Sequence, residues 1–237
     1  DMWIIRTDNC GQTCIYDETG NCTDGEEKWV KTYGSSGNDY GYSVLQKDGE
    51  YISVGKSGRI PSLFMIKTDS YGEKIWEKLY GEGPGDKVQY VINSTGQFPS
   101  YVGVGKINDP NTADSDICII GLNSNGDQHW YRTIQYGNAV NEQGNYIISI
   151  VGGGYLVAGT RQVNDWDDLL LMKLNNDGTQ SNSWNFGGGY NEVGNYAQEV
   201  SGGYFISGFT ESFGQGLYDS WIIKIDGNGN EIYDHTF

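Results

Sequence analysis

Laid along its own length, the chain repeats one segment five times, of the form D-x-W-I-I-K-x-D-x-x-G. It reads DMWIIRTDNCG from Asp1, SLFMIKTDSYG from Ser62, DICIIGLNSNG from Asp116, DLLLMKLNNDG from Asp168 and DSWIIKIDGNG from Asp219. Successive copies are offset by 61, 54, 52 and 51 residues. The first offset is long because of an insertion over 12–24, which holds Cys14 and Cys22. A fixed period of this size means one supersecondary unit built several times. Each unit has an apolar face that only a neighbouring unit can cover.

Other landmarks share the period. An aromatic residue follows the turn glycine in every copy: Trp29, Trp76, Trp130, Trp184 and Tyr233. Tyr-x-x-x-Gly recurs as YISVG from Tyr51, YVGVG from Tyr101, YLVAG from Tyr155 and YFISG from Tyr204. A glycine-rich acidic loop then leads into the next unit. Each unit reads as four short strands, A to D, rich in Ile, Val, Tyr and Trp and bounded by Gly, Asn and Asp. In the second unit they fall near Tyr42–Gln46, Tyr51–Lys56, Leu63–Thr68 and Lys74–Tyr80. The C strands, such as WIIKI from Trp221, are apolar on both faces, which suits a sheet stacked between two others. The expected fold class is all-β, a single five-bladed β-propeller over residues 1–237. Its blades span 1–33, 42–80, 87–134, 145–186 and 195–237, and the first has only its C and D strands.

The run VAGT from Val157, followed by DLLLMKLNNDG and Trp184, resembles the repeats of PQQ-like and related secreted bacterial and archaeal propellers. The resemblance covers the chain except the cysteine insertion and implies the architecture. It does not imply one function, because such repeats serve enzymes, adhesins and scaffolds alike. Quinoprotein members hold their cofactor at a calcium-centred site with added catalytic acids, and no such site is matched here.

Composition narrows the partners. Acids number 31 and bases 15, for a formal net charge of −16, which repels nucleic-acid backbones and anionic membrane surfaces. No apolar run approaches the roughly 18–20 residues that span a bilayer. The opening DMWIIRTD reads as the middle of a folded element, so further residues are expected before it. Cys10, Cys14 and Cys22 crowd in and beside the insertion and suggest a disulfide in an oxidising compartment, with free thiols or a metal as alternatives. Cys118 stands where other units carry large apolar residues and reads as buried filler. Sequons at Asn21 and Asn93 fit an exported glycoprotein.

Candidate sites lie in the loops. The D-x-x-G turns resemble calcium loops, most closely DGNGNEIYD from Asp226, but read better as hairpin turns capped by Asp or Asn. The B–C loops offer Asp109, Asp114 and Asp116 as a possible Ca²⁺ group, and Asp165, Asp167 and Asp168 around Trp166. A loop tryptophan between acids suits stacking on a sugar or a cation. Glu211 and Asp219 follow in the last unit, and the D–A loops add Asp39, Asp86, Glu142 and Glu192 to a face expected to be strongly negative. The repeated aromatics, with Trp3 and Trp221, read as packing between blades. Enzyme signatures are missing: there is no G-x-S-x-G, no H-E-x-x-H and no phosphate loop, and His129 and His235 lie in different units.

A propeller of five equal blades needs twenty strands, and this chain supplies eighteen. Either the first blade has two strands, or the chain is part of a longer repeat protein, or another subunit supplies the pair. The expected function is non-catalytic: a structural subunit of an extracellular or cell-surface assembly or filament. The alternatives are a module binding a glycan or basic protein through the acidic face, and a glycan-active or quinone-dependent enzyme.

Overall fold

The structure, a computed structural model, describes residues 2–6, 29–81, 83–95, 99–109, 114–137 and 140–237, with the backbone alone for Trp3. Among them all regular structure is strand, eighteen strands in five antiparallel sheets. The first sheet has two strands, β1 (Met2–Arg6) and β2 (Trp29–Tyr33). The second has β3 (Tyr40–Lys47), β4 (Glu50–Lys56), β5 (Leu63–Thr68) and β6 (Lys74–Tyr80). The third has β7 (Lys87–Asn93), β8 (Tyr101–Asn108), β9 (Ser115–Leu122) and β10 (Gln128–Ile134). The fourth has β11 (Glu142–Ser149), β12 (Tyr155–Val163), β13 (Trp166–Leu174) and β14 (Gln180–Phe186). The fifth has β15 (Glu192–Val200), β16 (Gly203–Thr210), β17 (Asp219–Asp226) and β18 (Glu231–Thr236). In each sheet the strands pair in chain order, as successive hairpins require. No described helix is long and apolar enough to cross a membrane.

The expected capped turns are present. Asp69 Oδ1 accepts the N–H groups of Tyr71 and Glu73, and Asp226 Oδ1 accepts those of Asn228 and Asn230. In both turns the glycine takes positive φ, 76° at Gly72 and 89° at Gly229. The turn at Asp8–Gly11 lies outside the described residues.

Apolar side chains fill the spaces between consecutive sheets. Met2 and Ile4 meet Phe64 and Ile66. Ile52, Val54 and Met65 meet Val91, Cys118 and Ile120. Val104 and Ile119 meet Ile147 and Met172, and Leu156 and Leu171 meet Ile206 and Ile223. Cys118 is fully buried, and burial, with the charge of Asp86, pushes its thiol up to about 12. All residues of β5 and β9 are buried, as strands apolar on both faces require.

β17 differs from that expectation. Trp221, Ile223 and Ile225 are buried, but Ser220 is exposed and Ile222 and Lys224 are half-buried. Among the described residues no core cluster joins the outer face of the fifth sheet to the first, so that side of the strand stays wet.

Tryptophans lock each sheet to the next. The Trp29 Nε1–H donates to the Ser70 carbonyl at 2.7 Å, Trp76 to Ser124 at 3.1 Å and Trp184 to Asn228 at 2.9 Å. Each ring lies against the turn of the following sheet, and Trp130 lies over Gly178 in the same way. A Cβ at Gly229 would stand 1.8 Å from the Trp184 ring nitrogen, so close approach demands glycine there as well as positive φ. Tyr233, the fifth aromatic, is exposed and meets only Phe205 of its own sheet among the aromatic contacts of the described residues.

The first strands of the four-stranded sheets carry bulges at equivalent places, between Gly41 and Ser43, Val88 and Tyr90, Gly144 and Tyr146, and Gly194 and Tyr196. Beyond three of these bulges Tyr90, Tyr146 and Tyr196 form a ladder with ring centroids 4.5 Å apart at each step. This register makes Val44 equivalent to Val91, Ile147 and Ala197. Those three are 2%, 0% and 0% exposed, whereas Val44 is 58% exposed. Val44 faces the first sheet, whose β1 pairs only with β2 among the described residues. A groove of about 220 Å³ opens there, lined by Met2, Ile4, Ile5, Gly41, Tyr42, Ser43, Val44 and Ser53.

Candidate functional site

The loops entering the first strand of a sheet and leaving its second strand meet at one end. Pairing sets this, since Glu142 stands opposite Arg161, and Glu192 opposite Thr210. At this end the acids Asp39, Asp86, Glu142 and Glu192 are all buried. The sequence places them on an exposed negative face; the structure turns them inward as clamps. Asp39 accepts from the Ser35 N–H at 2.6 Å, the Ser57 hydroxyl at 2.9 Å and the Gly58 N–H at 3.0 Å. Asp86 takes the N–H groups of Gly83 and Asn108, both at 2.9 Å. Glu192 takes the Gly188 N–H, the Thr210 hydroxyl and the Ser212 N–H. A carboxylate at this place ties two loops whose backbone donors would otherwise lie buried without partners.

Glu142 is held more loosely. One oxygen accepts the Tyr136 N–H at 3.2 Å, and Oε2 is enclosed without a partner among the described residues. Burial raises its pKa to about 7, with Asp116 and Asp114 adding to the rise and Arg161 opposing it. Asp116 is raised by burial and by Asp114 and Asp109. Asp167 is raised by burial, and Asp168 by burial and Glu192.

The structure thus brings Asp109, Asp114 and Asp116 into one electrostatic group, joined by the Asp109 N–H donating to the Asp114 carbonyl at 3.0 Å. Asp109 and Asp116 line a cleft of about 640 Å³ between the second and third sheets, with Asp86, Tyr80 and Tyr131. Among the described residues no three His, Cys, Asp or Glu side chains form a group able to hold a metal ion. Asp226, the strongest calcium candidate among the turns, spends Oδ1 on two backbone N–H groups and Oδ2 on the Asn230 amide.

Trp166 and Asp165 are exposed, as a binding loop requires. The Trp166 ring meets Tyr190 edge to face at 5.2 Å, and the Asp167 N–H donates to Asn191. Sequence reasoning missed the group beside them. Tyr190, Glu211, Gly216, Leu217 and Tyr218 line an open recess of about 480 Å³. The signal was present in ESFGQGLYDS, where Leu217 and Tyr218 put two adjacent large apolar residues in a connecting loop. Asn93 ends β7, half-buried, with its side-chain oxygen enclosed. Cys10, Cys14, Cys22 and Asn21 lie outside the described residues. His129 and His235 are both exposed, on β10 and β18 of different sheets.

Comparison with models of known protein families and with curated proteins finds no match to this chain.

Proposed function

We propose that the chain is a non-catalytic extracellular scaffold of the β-propeller type, similar in its repeats to PQQ-like secreted propellers. Its five sheets act as blades, and its two-stranded first blade joins a neighbouring copy through strand pairing. The carrying observation is the exposure of Val44, 58% where the equivalent residues of three later sheets are at most 2% exposed. In those sheets the first two strands of the preceding sheet cover the position; among the described residues β1 has only β2 beside it. A free strand edge next to an apolar groove is a template for an added strand, whose main-chain hydrogen bonds join two chains. A head-to-tail contact of this kind extends rather than closes, which suits a surface filament. The extracellular setting draws on the cysteine cluster and sequons of the sequence.

Light scattering after size exclusion, with negative-stain microscopy, tests the proposal. The expected result is concentration-dependent oligomers that Val44→Lys dissolves while leaving the melting temperature of the subunit unchanged. A strict monomer at high concentration overturns it.

A further inference from the structure

Negative charge is concentrated in the last two sheets. Residues 142–237 hold twelve acids and three bases, which leaves −9 of the chain's −16. On the loop face of these sheets stands a contiguous group of exposed apolar side chains: Trp166 at 39%, Tyr190 at 54%, Leu217 at 83% and Tyr218 at 67% exposure. Single exposed apolar residues are ordinary, but a contiguous group in an acidic surface marks a contact site. Ring contacts hold the group in place: Trp166 packs edge-on against Tyr190, and Phe209 meets Tyr218 edge to face at 5.5 Å.

Glu211 supplies a fixed negative charge in the wall of the same recess. It accepts the Asn191 side-chain N–H at 3.0 Å and the Asn191 backbone N–H at 3.4 Å. It also neighbours the Tyr218 hydroxyl, whose pKa it raises through a hydrogen bond and its charge. Aromatic faces beside an oriented carboxylate, in a strongly negative field, select among ligands. Anions are repelled. A neutral sugar uses the rings and leaves the charge unanswered. A hydrated ammonium uses the charge and gains less from the rings. A guanidinium uses both, because it is planar and weakly hydrated, stacks on aromatic faces and meets a carboxylate through paired N–H donors.

We propose that the recess formed by Tyr190, Glu211, Leu217 and Tyr218 is a docking site for an arginine side chain of a basic protein partner. The site is independent of the β1 edge and stands or falls separately from strand pairing.

The test is titration of the purified full chain with a capped glycine–serine peptide carrying two arginines, followed by calorimetry and by tryptophan fluorescence, since Trp166 abuts the recess. Peptides carrying lysine or citrulline in place of arginine, and a neutral oligosaccharide, are the comparisons. The expected result is saturable binding of the arginine peptide, weaker binding of the lysine peptide, and none of the citrulline peptide or the sugar. Tyr218→Ala and Glu211→Gln each weaken arginine binding by about tenfold. Tyr218 is largely exposed and Gln keeps an acceptor for Asn191, so unchanged melting temperatures separate loss of binding from loss of fold. Three results overturn the proposal: no binding of the arginine peptide, equal binding of the lysine peptide, or undiminished binding by both variants. Sugar binding in its place identifies a saccharide site and overturns it equally.

Discussion

Asp39 and Glu142 hold the same place in their units, yet their proton affinities move in opposite directions. Burial pushes the Asp39 carboxyl up, but the N–H groups of Ser35 and Gly58 and the hydroxyls of Ser57 and Ser35 outweigh it and hold the pKa below the ordinary value. Asp39 therefore stabilises the fold at neutral pH, and that contribution is lost as pH falls through its lowered pKa. Glu142 has one backbone donor and like charges nearby, and it rises from 4.5 to about 7. Its proton is retained on folding, so its contribution is full below pH 4.5 and is lost as pH rises through about 7. The expected outcome is a melting temperature that falls between pH 5 and pH 8, by about 2–4 °C for each kcal/mol lost at this chain size. Glu142→Gln flattens that slope, as differential scanning fluorimetry across the range will show. An unchanged slope in the variant refutes the assignment. Both residues were plain in the repeat, but their burial was not: an acid in a glycine-rich loop reads as solvated until the donors folded around it are seen.

At the scale of elements, the last strand of each of the first four sheets carries the joint to the next. Trp184 loses both its packing on Gly229 and its hydrogen bond to Asn228 when cut to alanine. Trp184→Ala should cost about 2–4 kcal/mol in urea unfolding, less than full burial would give. Tyr233→Ala should cost under about 1 kcal/mol, because Tyr233 is exposed and among the described residues no turn lies under it. Equal costs would mean that a further surface covers the fifth sheet in solution. The period of the sequence located all five aromatics and the strand order, since hairpins leave little freedom in pairing. It did not locate the bulges, each of which puts one unpaired residue into a first strand and sharpens the local twist. The half-buried face of β17 was illegible because Trp221–Ile225 is as apolar as the central strands, and only the packing shows that no other described sheet covers that side.

For the whole molecule, burial grades from the middle outward. β9 is buried along its length, whereas Glu231–His235 of β18 and most of β3 are exposed. Amide exchange should be slowest in β9 and β13 and fastest in β18 and β3, as native-state hydrogen exchange with mass detection will resolve. Protection of β3 equal to that of β9 would place another chain on it. The joints between sheets also have a sense. Trp29, Trp76, Trp130 and Trp184 all reach forward onto the turn that follows. A polarised fastening of this kind is blind to how many parts are strung on it. Duplicating one unit in place carries a finished tongue and a finished slot together, so the copy meets both neighbours without any matching mutation. Reversing a unit would pair tongue with tongue. Lineages bearing this architecture can therefore change in length by whole cassettes and in one orientation only, while the ends remain the places where new surfaces must be invented.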